Sequence, residues 1–157
     1  MSRLTDIPIR IEAPARRELP PEITGLGGGV GAILSELVRL LEGLANGGAP
    51  ASIDLRSLPM SPEDRAQLQQ VLGEGEVQAS VNAQGLSRIR ETQVAGVWWV
   101  EHFDRGEELL AESIEVAPVP AILACALDEI AAAASHLRAR ICETTAANGR
   151  TENHVAQ

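Results

Sequence analysis

Four consecutive segments decide the fold: Val77-Gln-Ala-Ser-Val-Asn82, Arg88-Ile-Arg-Glu-Thr-Gln-Val94, Val97-Trp-Trp-Val-Glu-His-Phe103 and Leu109-Leu-Ala-Glu-Ser-Ile-Glu-Val116. In the first, Val77, Ala79 and Val81 alternate with Gln78, Ser80 and Asn82. A period of two marks a strand with one buried face. The second segment is more polar and the third is the most apolar. In the fourth, Leu110, Ile114 and Val116 share a face. Ala83-Gln-Gly85 offers a turn, Gly96 breaks the second segment from the third, and Asp104-Arg-Gly106 is a tight turn before the fourth. Short polar breaks between alternating segments predict an antiparallel meander over residues 76–116.

Upstream, Val30, Ile33, Leu34, Leu37, Val38, Leu41 and Leu44 recur at spacings of three and four, which predicts an amphipathic helix over 30–46. Asn46-Gly-Gly48 and then Pro50 stop it. Residues 51–56 read as a short strand with Ile53 and Leu55 on one face. Ser61-Pro-Glu-Asp64 is a helix start, with Ser as cap, Pro in the first turn and acids after it; the helix runs to about Leu72 and ends at Gly73. Downstream, Pro118 and Pro120 introduce a long helix over about 119–145 with Ile122, Leu123, Leu127, Ile130, Leu137 and Ile141 on its apolar side. Residues 1–29 read as a Pro/Gly-rich lead-in, in which alternating Ile7, Ile9 and Ile11 could add an edge strand, and residues 146–157 as a polar tail. The expected architecture is α+β: one domain over 30–145, an antiparallel sheet of four to five strands with helices packed on it.

The 157 residues suffice for one core. Trp98, Trp99 and Phe103 are the only aromatic residues, so Leu, Ile, Val and Ala must build that core. The net charge of −9 repels phosphate backbones and argues against nucleic acid as a partner. Between residues 61 and 116, eleven acids face four arginines, a net −7 that suits a basic protein or peptide. The stretch Val116 to Ala134 is broken by prolines and acids and does not read as a membrane span. Cys125 and Cys142, placed on one helix, lie about 25 Å apart, too far for a bridge. With no export signal visible, free thiols point to the cytoplasm.

Candidate chemistry is sparse. Gly27-Gly-Gly-Val-Gly-Ala32 fits the G-x-G-x-x-A pattern and opens a helix, but Pro20, Pro21, Thr24 and Gly25 precede it where a dinucleotide site needs a strand. A flexible joint is the plainer reading. His102, His136 and His154 show no ligand spacing, and no Cys/His cluster is visible, so no metal or other cofactor is expected. Glu74 and Glu76 flank Gly75 just after a helix end. Two carboxylates can divide acid and base roles. Without a nucleophile nearby, a solvated turn or a docking point for an Arg-bearing partner fits better. Trp98 and Trp99 must point to opposite faces of their strand, so one of them is either covered by another element or exposed as a partner anchor.

Taken together, Ile53-Asp-Leu-Arg-Ser-Leu-Pro59, Leu72-Gly-Glu-Gly-Glu-Val-Gln-Ala79, Ile89-Arg-Glu-Thr92, Gly96-Val-Trp-Trp-Val100 and Glu112-Ser-Ile-Glu-Val-Ala-Pro-Val-Pro120 resemble the conserved region of the HupH/HyaF/HoxQ family of hydrogenase expression/formation proteins, over residues 26–142. The resemblance implies an accessory role in making uptake [NiFe] hydrogenase: a chaperone-like factor, not an enzyme, that handles the iron–sulfur small subunit before twin-arginine export. It implies no catalytic residues. The expected partner-binding set is Glu74, Glu76, Arg90, Glu91, Trp98 and Trp99, facing the small-subunit precursor or another maturation protein. Competing readings are a scaffold subunit that binds another maturation protein, a cluster carrier, and a small enzyme using Glu74, Glu76 or His102.

Overall fold

The computed structural model describes Gly25 and residues 27–152, with side chains as far as Cys142. The candidate strand at Ile7, Ile9 and Ile11, His154 and the end of the polar tail lie outside the described residues. The chain divides into two compact units, one ending at Pro120 and the other beginning at Ala121.

The first unit runs α1 (Gly28–Ala45), β1 (Ala51–Asp54), α2 (Pro62–Leu72), β2 (Gln78–Asn82), β3 (Leu86–Glu91), β4 (Val97–Phe103) and β5 (Leu109–Val116). The five strands form one antiparallel sheet in the order β1-β5-β4-β3-β2. The meander is continuous from β2 to β5, and β1 pairs outside β5. Because β1 and β2 lie at opposite edges, the segment carrying α2 must take the chain across the whole sheet. The fold is α+β, as the alternation predicted.

Each element has a local cause. Ser61 caps α2: its hydroxyl accepts the Asp64 N–H at 3.1 Å, the Asp64 carboxylate accepts the Ser61 N–H at 3.1 Å, and Pro62 opens the first turn. β1 stops at Asp54, earlier than residue 56, because the Asp54 carboxylate accepts the Arg56 N–H and its carbonyl accepts the Ser57 hydroxyl. β3 spans Leu86–Glu91, not 88–94. Thr92 ends it: the hydroxyl is 3.0 Å from the Val97 carbonyl and accepts the Val94 N–H at 3.1 Å, closing the 92–97 turn. Between β4 and β5 the Asp104 carboxylate accepts the N–H groups of Gly106 and Glu108.

The core lies on one face of the sheet, under the two helices. Val30, Ile33 and Leu37 of α1, Leu68 and Leu72 of α2, and Val97, Trp99, Ile114 and Val116 of β4 and β5 form one buried cluster with Leu55. Ile89, Trp98 and Val100 are buried outside that cluster, on the other face by strand alternation.

In the second unit a single 3₁₀ turn at Ala121–Leu123 precedes α3 (Leu127–Glu152). This corrects the expected span of 119–145 at both ends. The prolines mark the end of β5, not the helix start. The helix begins where the Glu129 carboxylate reaches back to accept the Ala126 N–H at 3.2 Å, beside Asp128 in the first turn. No proline interrupts residues 146–152, and the helix continues through them. Cys125 therefore precedes the helix and only Cys142 lies on it; both are free and exposed. No described helix is long and apolar enough to cross a membrane.

Candidate functional site

The sequence after α2 folds back on the end of β3. The Gly73 N–H caps α2 on the Gln69 carbonyl, with φ at +63°, in the left-handed region that favours glycine. The Gly75 N–H then donates to the Glu91 carbonyl at 2.8 Å, and the Gln93 N–H to the Leu72 carbonyl at 2.9 Å. A Cβ on Gly75 would stand 2.6 Å from the Thr92 carbonyl oxygen, so only glycine allows this approach. The result is a cleft of about 60 Å³ walled by Gln69, Leu72, Glu74, Arg90, Glu91 and Trp99. Metabolite pockets usually measure roughly 300–1,000 Å³. This cleft has room for a few waters or part of one side chain.

A chain of charges runs beneath and beside it. Arg90 lies 3.8 Å from the Glu74 carboxylate and 3.4 Å from that of Glu101. Glu74 is 75% exposed and leaves its charge in water. Trp99 is the cross-strand partner of Arg90, and its indole Nε1–H donates to Glu112 Oε1 at 3.0 Å. Arg65 of α2 places Nη2 2.8 Å from Glu112 Oε2, off the angle a hydrogen bond needs, so Oε2 is ion-paired but has no hydrogen-bond donor among the described residues. Glu112 is 1% exposed. Burial pushes its carboxyl above the usual carboxylate range; Arg65 and the Trp99 bond pull the other way, Glu101 adds to the rise and Arg90 opposes it. Glu101 and Glu112 are direct cross-strand neighbours, so two acids share this face with Arg88 and Arg90 of β3 and with Arg65 of α2.

The structure brings four of the six proposed partner residues to this cleft: Glu74, Arg90, Glu91 and Trp99. Glu76 is exposed beyond it, and Trp98 is on the opposite face with its Nε1–H bonded to the Ala117 carbonyl at 3.0 Å. Neither tryptophan is an exposed anchor, since Trp98 is 6% and Trp99 3% exposed. The residues that sequence reading missed are Arg65 and Glu112. Their signal was present: Glu112 has the parity of Ile114 and Val116, and Arg65 stands three residues before Leu68 on the inner side of α2.

Other candidates fall elsewhere. Gln67 accepts the Gly27 N–H and donates to the Gly25 carbonyl, both at 3.2 Å, so the glycine tract seats α1 against α2. His102 Nδ1 lies 2.8 Å from the Ser87 hydroxyl across β3 and β4. Among the described residues no third group orients the other ring nitrogen, as a nucleophile–base pair requires. No described group of three or more His, Cys, Asp and Glu could hold a metal ion.

Residues 29–144 match the family model described as the HupH hydrogenase expression protein, C-terminal conserved region. The chain is 36% identical over 89 residues to hydrogenase expression/formation protein HoxQ of Azotobacter vinelandii, covering 57% of this chain and 31% of that protein. It is 33% identical over 131 residues to hydrogenase-1 operon protein HyaF of Escherichia coli K12, covering 83% and 44%. It thus spans less than half the length of these curated relatives. The solved structure of hydrogenase expression protein HupH from Thiobacillus denitrificans superposes with a TM-score of 0.70 at 33% identity, over 74% of this chain and 98% of that one.

Proposed function

Because the chain belongs to the HupH family of hydrogenase expression proteins through that family's C-terminal conserved region, we propose that it serves hydrogenase maturation as a binding factor without catalysis of its own. Its client in this reading is the iron–sulfur small-subunit precursor of a [NiFe] uptake hydrogenase, bound in the cytoplasm before twin-arginine export. The observation that carries the reading is the cleft after α2. It is too small for a metabolite, yet it presents Arg90 between Glu74 and Glu101 on a net-acidic surface. A basic side chain of a client can take Glu74 from Arg90 at little cost, because the existing contact is long and solvent-exposed. A carboxylate of the client can instead take Arg90. Either exchange reads charge on an extended peptide and needs no deep pocket.

The test is capture of the small-subunit precursor by the tagged chain, with and without the precursor's leader, at low and moderate salt. Capture that needs the leader, weakens with salt and falls when Glu74 and Glu76 are both changed to Gln supports the reading. Capture that ignores all three places the contact on the client's body. Capture only of another maturation protein favours the scaffold role.

A further inference from the structure

The two edges of the sheet are not alike. β1 is four residues long and ends in Asp54, whose outward carbonyl is occupied by Ser57. β2, Gln78-Ala-Ser-Val-Asn82, carries no charge and no proline, the devices that usually protect an edge. It pairs only with β3 among the described residues. The Glu91 N–H donates to the Val77 carbonyl and the Ala83 N–H to the Gly85 carbonyl. With the observed register, Ala79 and Val81 therefore spend their N–H and C=O groups on β3, as Val77 spends its carbonyl. Gln78, Ser80 and Asn82 turn theirs outward, and all three are exposed.

We propose that this edge pairs with β2 of a second copy of the chain, antiparallel about a two-fold axis at Ser80. The strand is self-complementary in that register. Ser80 meets Ser80, and Gln78 meets Asn82 of the second copy, each as a hydrogen-bonded pair, so six backbone bonds close between the copies. Ala79 meets Val81, and Val77 meets Ala83, which joins two short apolar rows on one face. Glu76 meets Gln84, so no like charges are opposed anywhere along the strand. This matters for a chain of net charge −9, because the copies already repel overall and like charges opposed along the edge would add to that repulsion. The product is one continuous ten-stranded sheet. The pairing does not depend on the hydrogenase reading, and its salt dependence has the opposite sign: salt screens the repulsion between the acidic copies and strengthens the dimer.

Sedimentation of the full chain from about 10 to about 500 µM tests it, because a dimer must respond to concentration. The expected result is a monomer–dimer equilibrium that tightens with salt. Ser80→Lys, which sets two cations against each other, should weaken it roughly tenfold or more while far-UV CD stays unchanged. Register is read by cross-linking in a Cys125→Ser, Cys142→Ser background. Hydrogen-bonded antiparallel partners lie about 5.5 Å apart at Cα, within disulfide reach. Ser80→Cys should therefore oxidise to a dimer, and Ala79→Cys, which faces Val81, should not. A chain that stays monomeric throughout, or a dimer indifferent to Ser80→Lys with no Ser80→Cys cross-link, overturns the proposal. So does Ser80→Cys cross-linking only to an added client, which would make the edge a seat for another protein.

Discussion

Replacing each tryptophan by phenylalanine separates two bonds of equal length and unequal chemistry. Trp99 donates to a buried carboxylate, Glu112, and Trp98 to a neutral carbonyl, Ala117, both at 3.0 Å. Both indoles are almost wholly buried, so the ring atoms lost are the same and the packing penalties are similar. A hydrogen bond to a charged group contributes about 1.5–3 kcal/mol, a neutral one about 0.5–1.5 kcal/mol. Trp99→Phe should therefore cost roughly 1 kcal/mol more than Trp98→Phe at pH 8. The excess must also depend on pH. The Trp99 bond lowers the Glu112 pKa, so its loss raises that pKa further. Once both proteins carry Glu112 as the acid, at low pH, the excess shrinks; as pH rises and the group ionises, it grows. Urea unfolding followed by far-UV CD at pH 5.5 and pH 8 measures both variants. Equal penalties at pH 8, or a Trp99→Phe penalty that is flat with pH, would refute the claim that this bond supports a buried charge.

Three further outcomes follow from the same geometry. Glu112→Gln should gain stability relative to wild type as pH rises from 5 to 8. With its pKa raised by burial, Glu112 contributes stability that is complete below about 4.5 and is lost as pH rises through the folded-state value, a loss the amide cannot suffer. Unfolding free energies across that range check it. Gly75→Ala should cost about 1–3 kcal/mol, because its Cβ would press on the Thr92 carbonyl, and amide exchange at Gly75 should quicken as the loop lifts from β3. Ser61→Ala should cost about 1 kcal/mol through loss of the reciprocal cap on α2, read as a lower urea midpoint at unchanged slope.

Much of this fold is written in local chemistry. β4 and β5 have the expected bounds, because the break at Gly96, the tight turn at Asp104-Arg105-Gly106 and, in β5, apolar parity act within a few residues. The start of α2 was legible for the same reason, in Ser61-Pro62. The start of α3 was harder. Pro118 and Pro120 are as compatible with a helix entry as with a strand exit, and the deciding contact, Glu129 to the Ala126 N–H, is a weaker pattern than the prolines. In the site, Glu74, Arg90, Glu91 and Trp99 were grouped with Glu76 and Trp98, which lie away from the cleft, and the reason the four meet was not legible. It lies in Gly75 closing on Glu91, a contact sixteen residues apart along the chain. Glu112 was read as one acid among eleven on a solvated surface. Charge composition argued for exposure and strand parity for burial, and parity won because Arg65 and Trp99 supply its partners.

The central claim is that the chain serves hydrogenase maturation, and deleting its gene in the organism that encodes it tests this most directly. Hydrogen uptake and the processed fraction of the hydrogenase small subunit would be measured together. The account predicts that uptake falls, unprocessed small subunit accumulates, and both return with the wild-type gene. Full uptake with normal small-subunit processing in the deletion strain would contradict it.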